Sequence, residues 1–194
     1  MTGPLLIVGA ATALIFLAVV LGEGMARHGY RPLYHTGSEL SLGDRGWVQI
    51  ANFLQLGVGM LAFALGVSRA LDTVVGPIFL AVFGLGAIAS AVFLPDSLRG
   101  YPPGADRNVT LHGQIHNAVG PAMFIAILVA AILHTGQLDG AWRVYTVLTA
   151  VAGLGLTVGT AVSFQRDSAY TGLIQRGLLS VYLVWVALLG VHLV

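Results

Sequence analysis

Apolar runs of about twenty residues, the length a helix needs to cross the hydrocarbon core of a bilayer, recur along this chain. They cover residues 4–24, 47–67, 74–94, 110–134, 142–163 and 172–194. The pattern predicts an all-α protein, a polytopic transmembrane bundle of six helices forming one integral membrane domain over 1–194. Pro77 and Pro121 fall inside the third and fourth runs and are expected to kink them. The first run has no basic segment before it and no small-residue cleavage site after it, so it reads as a retained helix.

The polar breaks between runs are unequal. Those at 69–73 and 135–142 are short and sparse, whereas 25–46 and 95–109 are long and, together with 164–171 and the helix ends beside them, carry seven of the nine arginines. Six spans put the long breaks on one side and both termini on the other. The positive-inside rule then predicts the arginine-rich side to be cytoplasmic. The first break is too long for a hairpin turn, so it is expected to fold over the mouth of the bundle, with Ser38-Glu39-Leu40-Ser41 as a short re-entrant element.

Composition narrows the chemistry. Charged residues make up 9% of the 194, against roughly a quarter in soluble domains, and mean hydropathy is +0.87. The 26 glycines suit closely approaching membrane helices. Absence of cysteine excludes disulfides, thiolate metal sites and cysteine nucleophiles. All nine cations being arginine excludes lysine Schiff bases, and a net charge of +1 gives no reason for a nucleic-acid partner.

Polar residues concentrate between Pro95 and His116. Asp96 closes the third run, and His112 and His116, four residues apart, share one face at the start of the fourth, with Thr110 as the expected N-cap. Two chemistries fit this constellation. In one, Asp96 or Glu39 donates a proton and His112 and His116 orient or accept it, with no cofactor. In the other, His112 and His116 bind zinc with a third ligand from Asp96, His35 or Glu39. Plainer readings compete: a cap or an Arg99 ion pair for Asp96, and ordinary polar interface residues for the histidines. His28, His134 and His192 read as loop or interface residues.

Arg176 lies a turn inside an apolar helix and so needs a partner or a task. Asp96, Glu39 or a substrate's polar end would supply it. Gln175, Gln49, Asn52 and Trp47 are further candidates for substrate contact. The alternatives are a membrane-interface anchor for Trp47 and interhelical hydrogen bonds for Gln49 and Asn52.

The order of several short motifs resembles a known family. Gly37-Ser38-Glu39-Leu40-Ser41, Asn52 at the opening of the second helix, Phe93-Leu94-Pro95-Asp96, a histidine opening the fourth helix and Gly172-Leu173-Ile174-Gln175-Arg176 resemble the bacterial membrane proteins grouped as domain-of-unknown-function family 998. The resemblance covers nearly the whole chain. It implies a compact multi-helix protein of the bacterial plasma membrane without an assigned activity, and its motifs fall on Glu39, Asn52, Asp96, His112 or His116, and Arg176.

A looser similarity is to intramembrane zinc hydrolases of the ceramidase and adiponectin-receptor type. It would use Ser38, His35, Asp96, His112 and His116, but those proteins have seven helices in a different order of parts. Small membrane terpene cyclases are an analogy in type of site only. The leading expectation is a membrane-embedded acid/base enzyme acting on an isoprenoid or other lipid-like molecule. The alternatives are a zinc-dependent lipid hydrolase and a non-enzymatic lipid-binding, transport or accessory subunit.

Overall fold

A computed structural model describes residues 2–194. Six helices form: α1 Thr2–Ala26, α2 Gly46–Leu71, α3 Val75–Val92, α4 Leu111–His134, α5 Gly140–Gln165 and α6 Thr171–His192. A single 3-10 helix, Gly37–Ser41, interrupts the first connection where the re-entrant element was expected. All six helices are long and apolar enough to cross a membrane, and the described residues form no strand. The protein is an all-α helical bundle of the integral membrane type.

Each helix packs against its neighbours in sequence, and α6 returns to α1, so the six close into a ring. Outward positions carry exposed Ile, Leu and Val along every helix, as a lipid-facing surface requires. In lipid the apolar effect does not draw helices together, and close backbone approach takes its place. Gly57 of α2 and Gly84 of α3 show this: a β-carbon built on Gly57 would lie 2.7 Å from the Gly84 carbonyl oxygen.

Asn52, Gln55 and Gln49 form an amide relay along α2. Asn52 Nδ2 donates to the Phe16 carbonyl and to Gln49 Oε1, and Gln55 Nε2 donates to the Thr12 carbonyl and to Asn52 Oδ1. These residues join α2 to α1. Of the histidines placed at interfaces, His134 departs from expectation: it is fully buried, its Nδ1 2.6 Å from the Ala130 carbonyl and its ring against Gly76 and Trp185.

The first connection is the most elaborately held part of the chain, and two buried arginines hold it. Arg27, at the end of α1, donates to the carbonyls of Leu40 at 2.7 Å, Leu42 at 3.1 Å and Arg45 at 2.7 Å, while Glu23 accepts from its Nε at 2.8 Å. Glu23 also takes Arg45. Arg176, from α6, donates to the carbonyls of Pro32 at 2.6 Å, His35 at 3.0 Å and Gly172 at 3.0 Å, and to the Tyr30 hydroxyl at 2.5 Å. The Arg176 guanidinium gathers carbonyls before the 3-10 turn, and that of Arg27 gathers carbonyls at its end and after it. Loop backbone at membrane depth must find such partners because lipid offers none.

Candidate functional site

Three connected spaces lie between the 3-10 turn and the helices behind it, and Ser38 borders all of them. The largest, about 280 Å³, sits between α4, α5 and α6 and is lined by Ser38, His116, Gly120, Phe124, Thr160 and Gln175 among others. Exposed Pro121, Ala161 and Phe164 rim it, so it opens sideways between α4 and α5, toward the surface that lipid covers. A second space of about 50 Å³ continues inward past Phe16, Phe53, Leu56 and Met123 into the centre of the ring. A third of about 30 Å³ continues toward the polar face, between Glu39, Asp96 and Arg99.

The opening has a local cause. Thr146 takes the Trp185 indole N–H at 3.1 Å and Gly153 packs directly on Tyr182, so the first half of α5 lies tight on α6. Its second half still meets α6, where Ile174 stands 3.4 Å from the place a side chain at Gly159 would begin, but on the α4 side no atom stands within 4 Å of where a side chain at Gly120 would begin. The Thr157 and Thr160 hydroxyls there are buried without protein partners and turn the cavity wall polar.

His116 is the titratable side chain at the junction of the two larger spaces. Its Nδ1 lies 2.7 Å from the Phe93 carbonyl, which can only accept. Nδ1 therefore carries the proton, and in the neutral ring Nε2 keeps its lone pair free for a ligand. Glu39 completes a capping box on the 3-10 turn, its Oε2 accepting from the Thr36 N–H at 2.7 Å and the Thr36 hydroxyl at 2.9 Å. Its Oε1 is buried with no partner, and burial pushes the carboxyl above its ordinary range, although the hydrogen bonds from Thr36 oppose the rise. Gln175 accepts the Gly37 N–H at 2.7 Å and lines both larger spaces.

Other expected residues lie elsewhere. Asp96 accepts from the Thr110 hydroxyl at 2.7 Å and the Thr110 N–H at 3.1 Å, and Thr110 in turn caps Gly113 at 3.0 Å. Its carboxylate therefore seals the N-terminus of α4, where negative charge is favoured, and borders only the smallest space. His112 is exposed, its ring edge on Phe93 at 5.4 Å, and lines none of the three spaces. Arg176 has its Nη donors on loop carbonyls and the Tyr30 hydroxyl, Gln49 and Asn52 lie in the α1–α2 seam, and Trp47 is 68% exposed at the end of α2.

The ligand set for zinc is not assembled either. His35 accepts the Arg31 N–H at Nδ1 and so must donate from Nε2 to the Arg99 carbonyl, which occupies both ring nitrogens. Burial lowers its pKa, in keeping with a neutral ring held from both sides. Beside it, burial pushes the Tyr30 phenol up to about 12. Among the described residues no group of three His, Asp or Glu is placed to hold a metal ion.

Three contributors were not singled out by sequence, Arg27, Thr157 and Thr160, and Arg99 was named only as an ion-pair partner of Asp96, whereas it lies beside Asp167. The arginines carried a signal, since charged side chains beside lipid need internal partners. The threonines carried none, because a Thr on an apolar helix looks the same whether it faces a neighbour or a cavity.

No curated protein and no solved structure matches the chain. A family model does, the one described as protein of unknown function (DUF998), over residues 10–192. That match takes in all six helices apart from the first eight residues of α1, and the chain belongs to the DUF998 family.

Proposed function

We propose that this protein binds an amphiphilic, lipid-like molecule in the sideways-opening cavity between α4, α5 and α6. The carrying observation is the position of that cavity. Its mouth lies on the lipid-covered surface, polar groups crowd its end nearest the 3-10 turn, and aromatic and aliphatic groups line its inner continuation. A molecule with a polar head and an apolar chain matches that gradient, and its chain can enter without crossing water. The amphiphile is a membrane lipid or an isoprenoid.

Purification of the full chain in a neutral detergent, followed by extraction and mass spectrometry, tests the reading. Wild type is expected to retain a lipid in fixed ratio. Gly120→Phe, which fills the cavity from a position with open space around it, is expected to lose that lipid while keeping its melting temperature. Equal lipid content in both proteins sinks the proposal.

A second reading, proton transfer on the bound molecule without a cofactor, is favoured by a specific pairing. His116 offers a lone pair at Nε2. Glu39, with Oε2 already accepting from Thr36, would carry its proton at the unpartnered Oε1. A base and an acid thus border one connected space, the arrangement that general acid/base chemistry needs. If a substrate is identified and Glu39→Gln and His116→Gln both turn it over at the wild-type rate, that reading fails and binding alone remains.

A further inference from the structure

We propose that Arg99, together with Glu39 across the smallest space, forms a subsite for the anionic oxygen of a headgroup, a phosphate or carboxylate carried by the bound amphiphile. The inference rests on the amphiphile reading and adds to it a chemical class of ligand.

The observation behind it is a buried guanidinium that the protein leaves largely unused. The Arg99 side chain is 8% exposed, yet only Nη2 has protein partners, the Ser168 carbonyl at 3.3 Å and Asp167 at 3.4 Å. Nε and Nη1, which carry three of the five N–H groups, have none. Buried donors are nearly always paired, and a charged group left unpaired is costly. Arg27 pairs all three of its guanidinium nitrogens and Arg176 pairs both of its Nη groups, leaving only Nε without a partner, so Arg99 is the buried arginine with most of its donors unused.

Arg99 is nevertheless held in place. Its guanidinium lies 3.9 Å from the centre of the Tyr34 ring and 5.3 Å from that of Phe164. The head group is preorganised by stacking, which leaves N–H edges free for an acceptor. It borders the space of about 30 Å³ that Glu39 also borders, where Oε1 is likewise without a partner. The unused Arg99 N–H groups suit an acceptor oxygen, and the Glu39 carboxyl joins them as a donor when it carries its proton. The space admits about one oxygen-sized group. Thr36, Ser38, Asn117 and Phe164 connect it to the large cavity, where the rest of a headgroup would lie.

The other charges nearby do not oppose an anion strongly. Asp96 is turned to Thr110 and the first turn of α4, and Asp167 is 70% exposed to solvent screening. Arg176, like Arg99, adds positive potential there, which works against the rise that burial gives the Glu39 carboxyl.

The test uses the full chain in a neutral detergent, titrated with dodecyl phosphate, dodecanoate or dodecanol and read by native mass spectrometry. Wild type is expected to retain the phosphate and the carboxylate at least about tenfold better than the alcohol, as charge-assisted hydrogen bonds predict. Arg99→Met should abolish that preference while dodecanol retention stays constant, and Arg99→Lys should restore part of it. Equal retention of all three probes by wild type overturns the subsite but leaves the amphiphile reading standing. Retention of none overturns both. Displacement of dodecyl phosphate by an equal concentration of inorganic phosphate would show that the chain contributes nothing, and would overturn the lipid-borne assignment. The wild-type comparison decides the matter even if Arg99→Met fails to fold.

Discussion

The two sides of the helix ring use the same residue to opposite ends. Between α2 and α3, Gly57 and Gly84 bring backbones into contact, so the missing side chains become packing. On the α4 side of the cavity, Gly120 faces open space, so its missing side chain becomes volume. Composition counts these glycines alike. What separates them is whether the facing helix supplies atoms to meet the exposed backbone, and at Gly120 it does not.

The sharpest way to break this comparison is to add bulk where the ring is sealed. Gly57→Leu would push into the Gly84 carbonyl and the Ile88 backbone, neither of which can swing aside as a side chain can. We expect a loss of about 3 kcal/mol or more, at the upper end for overpacking, read as a large fall in melting temperature or failure to recover folded protein. Gly120→Phe, a larger addition, is expected to leave the fold intact. Comparable destabilisation of the two variants would mean that the α4–α5 space closes in the bilayer, and the cavity argument would fall with it.

The second prediction concerns the start of α4, which forms one wall of the opening. Thr110 joins two duties: its hydroxyl accepts from Gly113 and donates to Asp96. Thr110→Ala removes the N-cap and frees the carboxylate, at an expected cost of about 1 kcal/mol. Asp96→Asn should cost less and leave any bound lipid in place. If Asp96→Asn instead removes the lipid, the acid belongs to the binding site and its place at the helix terminus is secondary.

How far these assignments were legible differs between fold and site for a physical reason. Helix number and position follow from bilayer thickness, which acts on each run of sequence separately, and the predicted runs fall within a few residues of the helices observed. The Thr110 cap was legible for the same reason, being local. Which polar residues share a cavity depends on helix rotation, and one helical turn decides it: His112 and His116 lie on one face, yet one is exposed and the other lines the space. Asp96 and Arg176 were marked correctly as polar groups needing partners. For Asp96 the cap was one of the readings the sequence offered; for Arg176 nothing in the sequence said that loop carbonyls, neighbours only in three dimensions, would be its partners.

The smallest expected effect is in pH dependence, and it tests whether Glu39 is held neutral beside the opening. Its carboxyl is raised in the folded protein chiefly by burial. Between the unfolded pKa and that raised value the native state binds the extra proton, so stability falls as pH rises through the window. Glu39 therefore contributes stability that is complete below the ordinary carboxylate range and is lost as pH rises through its folded pKa. His35, lowered by burial, slopes the other way: its contribution is present above the ordinary histidine range and is lost as pH falls. Melting curves of wild type alone would mix the two. The difference between wild type and Glu39→Gln isolates the carboxyl, because His35 is common to both. The expected result is a wild-type advantage at acidic pH that shrinks toward neutrality. A difference that stays flat with pH would mean that the Glu39 carboxyl titrates alike in the folded and unfolded chain, and a wild-type advantage that grows toward neutrality would place it in its charged form beside Arg99; either result would remove both the acid of the proton-transfer reading and one donor of the headgroup subsite.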